Sequence, residues 1–326
     1  MKLTSLKDGG RDGTLIVVSR DLSTAVQVAN IAGTMQAALD AWSEVEAGLR
    51  STYDMLNDGR LEDAFALDPA ALAAPLPRAY QWCDGSAYLS HAELVRKARG
   101  AEMPESLYVD PLMYQGGSDT MQGPRDDIVL ADPDWGLDLE AEIAVITDDV
   151  PLGTSVDQAV DHIKLITILN DVSLRLLMPA ELAKGFGFFQ SKPSTAFAPV
   201  FVTPDELGSA WNGRRLALPI MSHVNGELLG APNAGDDLDF DFATLIAHAT
   251  KTRSLGPGTI VGSGTVSNRN RLAGSSCLQE RRMIEKIETG EFKTPFLQYG
   301  DTVRIEMFDP QGRTIFGAIE QKVVRP

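Results

Sequence analysis

Acids alternate along LDLEAEIAVI, residues 137–146, where Leu139 and Ala141 separate Asp138, Glu140 and Glu142. Side chains two apart on a β-strand share a face, so in a strand these three carboxylates point the same way. Like charges on one face repel unless water or a counter-ion separates them. The face therefore lies in solvent or carries a cation. A second stretch, LITILNDVSLRL at 165–176, sets Asp171, Ser173 and Arg175 on one strand face and Ile166, Ile168, Val172, Leu174 and Leu176 on the other. Either strand alone reads as a solvated sheet face. Together their carboxylates offer the oxygen ligands of a hard divalent cation such as Mg2+ or Ca2+. Zinc fits less well, because no Cys or His stands at ligand spacing near these acids. The four histidines, His91, His162, His223 and His248, show no zinc-site spacing among themselves.

The elements that must position these residues are mostly strands with some helices. Residues 1–20 read as a hairpin turned at DGGRDG. Residues 23–50 have helical spacing, with Ser23 as a possible N-cap. The Ala/Pro-rich stretch 67–79 reads as a connector, which divides the chain into an N-terminal domain, 1–75, and a larger domain, 76–326. Asn225-Gly226 and the segment Asp309 to Gly312 signal two further hairpins. Short helices are predicted near 155–165 and 240–252. The glycines of GPGTIVGSGT lack the Lys-Ser/Thr ending of a phosphate loop and read as turn and strand glycines.

A chain of 326 residues with a net charge of −16 argues against nucleic acid or an anionic membrane as a partner. It leaves open a small anionic substrate in a local basic pocket. Two cysteines, Cys83 and Cys277, are too few for a disulfide framework. The stretch MKLTSLKDGGRDG has no apolar signal region, and no run approaches a membrane span. A cytoplasmic protein is expected.

The order LDLEAEIAVI, NDVSLR, FFQSKPSTAFAP and GSGTVSN, preceded by YVDPLMYQGG, resembles the fumarylacetoacetate hydrolase family over residues 80–326. Residues 1–75 resemble the variable N-terminal domain of its longer members. The resemblance implies a mixed β-roll, often homodimeric, with a small N-terminal domain that is an SH3-like barrel in fumarylacetoacetase itself. It implies metal ligation by Asp110, Glu140, Glu142 and Asp171, with Mg2+, Ca2+ or Mn2+ as the cofactor. Asp138 is left out of that set and is expected to face solvent or a lysine. The resemblance makes Arg175 and Lys192 both catalytic and substrate-binding, and Thr265 substrate-binding.

Where eukaryotic fumarylacetoacetases carry a water-activating histidine, seven residues after the metal aspartate, this chain has Gly117. Their partner glutamate aligns with Leu278, and Glu280 lies two places on. On a strand that keeps the face but shifts the carboxylate by roughly 6–7 Å. GSAYLSHAELVRKA resembles instead the lid helix of smaller members, which makes His91 the general-base candidate and Glu93 its nearest acid. Their two-residue spacing does not make neighbours on a regular α-helix. Met178 and Leu182 stand where the eukaryotic branch has polar and aromatic contacts.

The implied activity is metal-dependent hydrolysis of a carbon–carbon bond in fumarylacetoacetate or a related acylpyruvate from aromatic catabolism. The alternatives are a 2-oxo acid decarboxylase, hydratase or isomerase on the same metal site, and a non-catalytic metal or metabolite binder.

Overall fold

The computed structural model describes residues 1–8, 10–98 and 102–326. One large mixed sheet runs through it. In spatial order its strands are Phe65–Ala66, Thr24–Gln27, Thr14–Val18, Lys2–Leu6, Phe201–Val202, Ile163–Asn170, Ala141–Thr147, Ile260–Gly262, Trp82–Gly85 and Met113–Gln115, with Ala196–Phe197 paired to Ile163–Asn170. The N-terminal hairpin is present as expected, Lys2 facing Val18 and Leu6 facing Thr14. It does not close into a separate barrel. Lys2–Leu6 pairs with Phe201–Val202, so the first residues extend the sheet of the larger part.

Helices Met35–Asp40 and Trp42–Asn57 follow the third strand. The helical pattern therefore begins later than residue 23, because Thr24–Gln27 is a strand and Thr34, not Ser23, caps the first helix through its hydroxyl. Leu39, Trp42, Leu49 and Tyr53 from these helices share one buried cluster with Ala144, Ile146, Leu165 and Leu169 of the central strands. The opposite face of those strands, Ile143, Val145, Ile166 and Ile168, belongs to a second core. That core also takes in Val303 and Ile305 from a five-stranded sheet and Leu245 and Ile246 from the helix Phe242–Ala249. Strand Ala141–Thr147 is thus buried on both faces along its length. The face that carries Glu142 is apolar core two and four residues later.

The other turns fall where they are predicted. Asn225 and Gly226 both adopt positive φ, as a two-residue hairpin between Ile220–Val224 and Glu227–Gly230 requires. Strands Thr302–Met307 and Ile319–Val324 pair on either side of the Asp309–Gly312 turn. Among the described residues no helix is long and apolar enough to cross a membrane.

Candidate active site

The two acid-bearing strands pair antiparallel, with Glu142 opposite Leu169 and Ala141 opposite Asn170. Just beyond, both leave the ladder together. The Asn170 side chain accepts the Glu140 amide at 3.0 Å and donates to Gln321 at 2.9 Å. The Asp171 amide donates to the Glu140 carbonyl at 2.9 Å. These bonds satisfy backbone groups that the broken ladder would orphan. Each sequence stretch is consequently two strands rather than one: Leu137–Asp138 pairs with Ser173–Leu174 in a small sheet of its own.

At the break, Asp84, Glu142 and Asp171 bring carboxylate oxygens within 4.8 Å of one another, all three side chains buried. Among the described residues, neither oxygen of Glu142 has a hydrogen-bond partner. Burial, then repulsion from Asp84, Asp171 and Glu140, pushes the Glu142 carboxyl well above the usual carboxylate range. Asp84 is raised by burial and by Asp171. The bare oxygens of Glu142, buried beside two further carboxylates, fit a hard divalent cation, which supplies the missing charge and accepts oxygen ligands.

Two buried cations stand on the adjoining wall. Lys192 contacts both Glu140 and Asp171. Burial opposes its charge, but those two carboxylates outweigh burial and hold the ammonium protonated. Glu140 is held below the usual carboxylate range because Arg175 and Lys192 overcome the cost of burying it. Arg175 donates Nε to Asp138 at 2.8 Å. Its Nη2 is buried 2.7 Å from Glu140, and Nη1 is directed at the sulfur of Met178, 4.0 Å away. Lys192 arrives on a turn fixed by Glu181, whose carboxylate accepts the amides of Phe189, Gln190 and Ser191. Burial works against ionisation there, but the Ser191 hydroxyl and those amides hold the Glu181 carboxyl down at about 2.

His91 lies on helix Leu89–Ala98, with Nδ1 3.3 Å from a carboxylate oxygen of Glu280. Glu280 is fully buried and also accepts from Arg271 at 2.9 Å and Ser267 at 3.0 Å. It sits in the first turn of helix Leu278–Thr289, capped by Cys277. The strand expected at this position is a helix, and the helical turn carries Glu280 to the lid histidine. Asp138 is also not solvent-facing. It is fully buried, accepts the Leu278 and Gln279 amides at 2.7 and 2.9 Å, and pairs with Arg175. A carboxylate on those free N-terminal amides holds the helix in place.

One cavity of about 390 Å3 is lined by Asp84, His91, Glu140, Arg175, Lys192 and Thr265. Thr265 follows Gly264, whose φ of +74° and 2.4 Å approach of a would-be Cβ to the Gly85 carbonyl require glycine. Two expected residues lie elsewhere. Asp110 is 64% exposed and faces His248 at 3.3 Å, outside the carboxylate cluster. Glu93 turns to Arg269 at 3.5 Å rather than to His91, as two-residue spacing on a helix dictates. Asp84 takes the place in the cluster that Asp110 was expected to fill. It comes from Trp82–Gly85, which pairs in parallel with Ile260–Gly262, and nothing local marks it. Tyr114 is also absent from the sequence expectations; its hydroxyl donates to Asp171 at 2.6 Å. A larger cleft of about 870 Å3, lined by Lys2, Arg20, Asp205 and Arg313 among others, holds none of the expected residues.

The family described as fumarylacetoacetate (FAA) hydrolase C-terminal matches residues 81–324, and fumarylacetoacetase N-terminal domain 2 matches residues 1–78. Over 159 residues the chain is 28% identical to the 2,4-didehydro-3-deoxy-L-rhamnonate hydrolase of Sphingomonas sp. (strain SKA58), covering 48% of this chain and 53% of that protein. Over 247 residues it is 26% identical to the mitochondrial oxaloacetate tautomerase fahd2 of Xenopus laevis, covering 74% of this chain and 64% of that protein. The chain thus spans between half and two thirds of the length of these curated relatives. In structure it is similar to maleylpyruvate hydrolase from Sphingobium sp. SYK-6 in complex with manganese(II) ion and pyruvate. The TM-score is 0.65 at 19% identity, covering 100% of this chain and 99% of that one.

Proposed function

The chain belongs to the fumarylacetoacetate hydrolase family, and on that premise we propose that it hydrolyses a carbon–carbon bond in an acylpyruvate or related β-diketo acid, with a divalent metal as cofactor. The observation that carries this reading is one cavity lined by two buried carboxylates, Asp84 and Glu140, two buried cations and a histidine backed by a buried carboxylate, with Asp84 drawn together with Glu142 and Asp171 behind it.

Glu142, Asp171 and Asp84, with Glu140 beside them, would hold the ion. When bound, it supplies Lewis acidity to the paired oxygens of a 1,3-dicarbonyl group and favours the enolate over the ketone. Arg175, whose Nη1 is not engaged by a carboxylate among the described residues, pairs with the substrate carboxylate. The Thr265 hydroxyl donates to a substrate oxygen. His91 takes a proton from water as the water oxygen bonds to the distal carbonyl carbon. The carbon–carbon bond then breaks, and its electron pair passes into the enolate of pyruvate. Lys192 faces that developing negative charge. Proton return from His91 to the enolate carbon completes the balance: one water is consumed, and a carboxylic acid and pyruvate are released.

A second reading, isomerisation of a 2-oxo diacid, draws support from the tautomerase relative. It needs His91 to move a proton and needs no attacking water. Pyruvate release from a panel of acylpyruvates, and acetoacetate release from fumarylacetoacetate, with Mg2+, Mn2+ or Ca2+ and with EDTA, separates the two. The expected outcome is metal-dependent pyruvate release, lowered about 10²–10³-fold in kcat by Lys192→Met. Enol-to-keto conversion of oxaloacetate without any pyruvate release would instead establish the isomerase.

We further propose a cytoplasmic homodimer. Cys83 and Cys277 are free and buried, and Val109 and Phe186 leave apolar surface exposed for a second copy to cover. Sedimentation at micromolar concentration is expected to give twice the chain mass, and a single-chain mass would remove the dimer.

A further inference from the structure

We propose that this cavity selects a substrate with a carboxylate at one end only and an uncharged, apolar acyl group at the other. The inference rests on the acylpyruvate reading and adds the class of acyl group. It follows from how burial and polarity change together along the cavity. At the floor, Arg175 and Lys192 are nearly inaccessible and lie against Asp138, Glu140 and Asp171. Moving outward from Arg175, Nη1 meets the sulfur of Met178 at 4.0 Å, and Leu182 follows on the same short helix, half exposed. Moving outward from Lys192, the ammonium stands 5.4 Å from the Tyr114 ring centre, and Phe188 packs edge-on to Tyr114 at 5.3 Å. Leu112 completes the mouth, also half exposed.

The outer wall is therefore thioether, aliphatic and aromatic. Among the described residues lining the cavity, the only full cations are Arg175 and Lys192, both at the floor. A substrate whose first carboxylate takes Arg175 lays its acyl group along Met178, Leu182 and Phe188. An alkyl or aryl group gains burial there. A second carboxylate laid along the same apolar wall would give up water and meet no compensating charge.

The test uses a matched pair of equal chain length, 2,4-dioxooctanoate and 2,4-dioxooctanedioate. Binding to Mg2+-loaded His91→Ala protein is measured by titration calorimetry, and pyruvate release is measured with the unaltered protein. The monoacid is expected to bind at least about tenfold more tightly, and Leu182→Arg in the His91→Ala background is expected to erase or reverse that ratio. Equal or tighter binding of the diacid would overturn the inference, as would a preference that Leu182→Arg leaves unmoved. Turnover reports on the other premise. If neither compound releases pyruvate, the hydrolase reading falls, while the binding ratio still decides the acyl-group question.

Discussion

Glu142→Gln is expected to lower turnover about a thousandfold and, in the absence of metal, to stabilise the protein. The two effects have one cause. Glu142 is buried with no hydrogen-bond partner for either oxygen among the described residues and stands among Asp84, Asp171 and Glu140. Losing a ligand of a catalytic ion forfeits several kcal/mol of transition-state charge stabilisation, roughly a thousandfold in rate. Without the ion, the same carboxylate is a liability. Its pKa in the fold is raised by burial and by its neighbours, whereas in the unfolded chain it is near ~4.3. Stability is then greatest below the unfolded value and falls as pH rises from there towards the raised value, because the unfolded state gives up its proton first. Melting in EDTA is therefore expected at a lower temperature at pH 8 than at pH 5.5. Glu142→Gln should reduce that difference and melt about 2–4 °C higher at pH 8. Added Mg2+ should raise the melting temperature of the unaltered protein but not of the variant. A variant that still gains stability from Mg2+ would remove Glu142 from the proposed metal site.

The alternation that exposes Glu140 and Glu142 in the sequence is a property of one strand, and it is legible without any partner. What lies across the break is not. Asp138 reads as a spare acid because its partner Arg175 reaches it from the turn that follows the strand pairing with its own, and cross-strand register is absent from local sequence. Asp84 enters the cluster through a parallel pairing with residues about 180 positions away, so its neighbours in sequence carry no hint of it. Glu280 is missed for a different reason. LQERRMIEKIET has helix-forming residues, and Gly290 ends it in the left-handed conformation, both readable signals. A strand alignment over GSSCLQE overrides them and leaves the carboxylate on the wrong kind of element. The N-terminal part shows the same division. Its hairpin is local and legible, while its edge-to-edge union with Phe201–Val202 is tertiary.

His91→Ala is expected to lower kcat by about 10²–10⁴-fold with little change in KM, the usual reach of a positioned general base. Added imidazole should restore part of the rate if the alanine leaves space beside the attacking water. Glu280→Gln is the sharper test, because it keeps the shape of the site. The Glu280 carboxylate can only accept, so it fixes a proton on His91 Nδ1 and leaves Nε2 free to take one from water. An amide can instead donate to Nδ1 and favour the tautomer whose Nε2 already carries its proton. The same change withdraws the charge that would balance the imidazolium formed during the reaction. Arg271 and Ser267 also hold this carboxylate, so the amide has other partners and the helix should stay in place. Glu280→Gln should therefore reduce kcat by at least about tenfold while KM and Mg2+-induced stabilisation persist. Adding Glu280→Gln to His91→Ala should cost almost nothing further, since two residues that act as a unit are not additive. Fully additive losses would mean that Glu280 serves the fold and not the histidine.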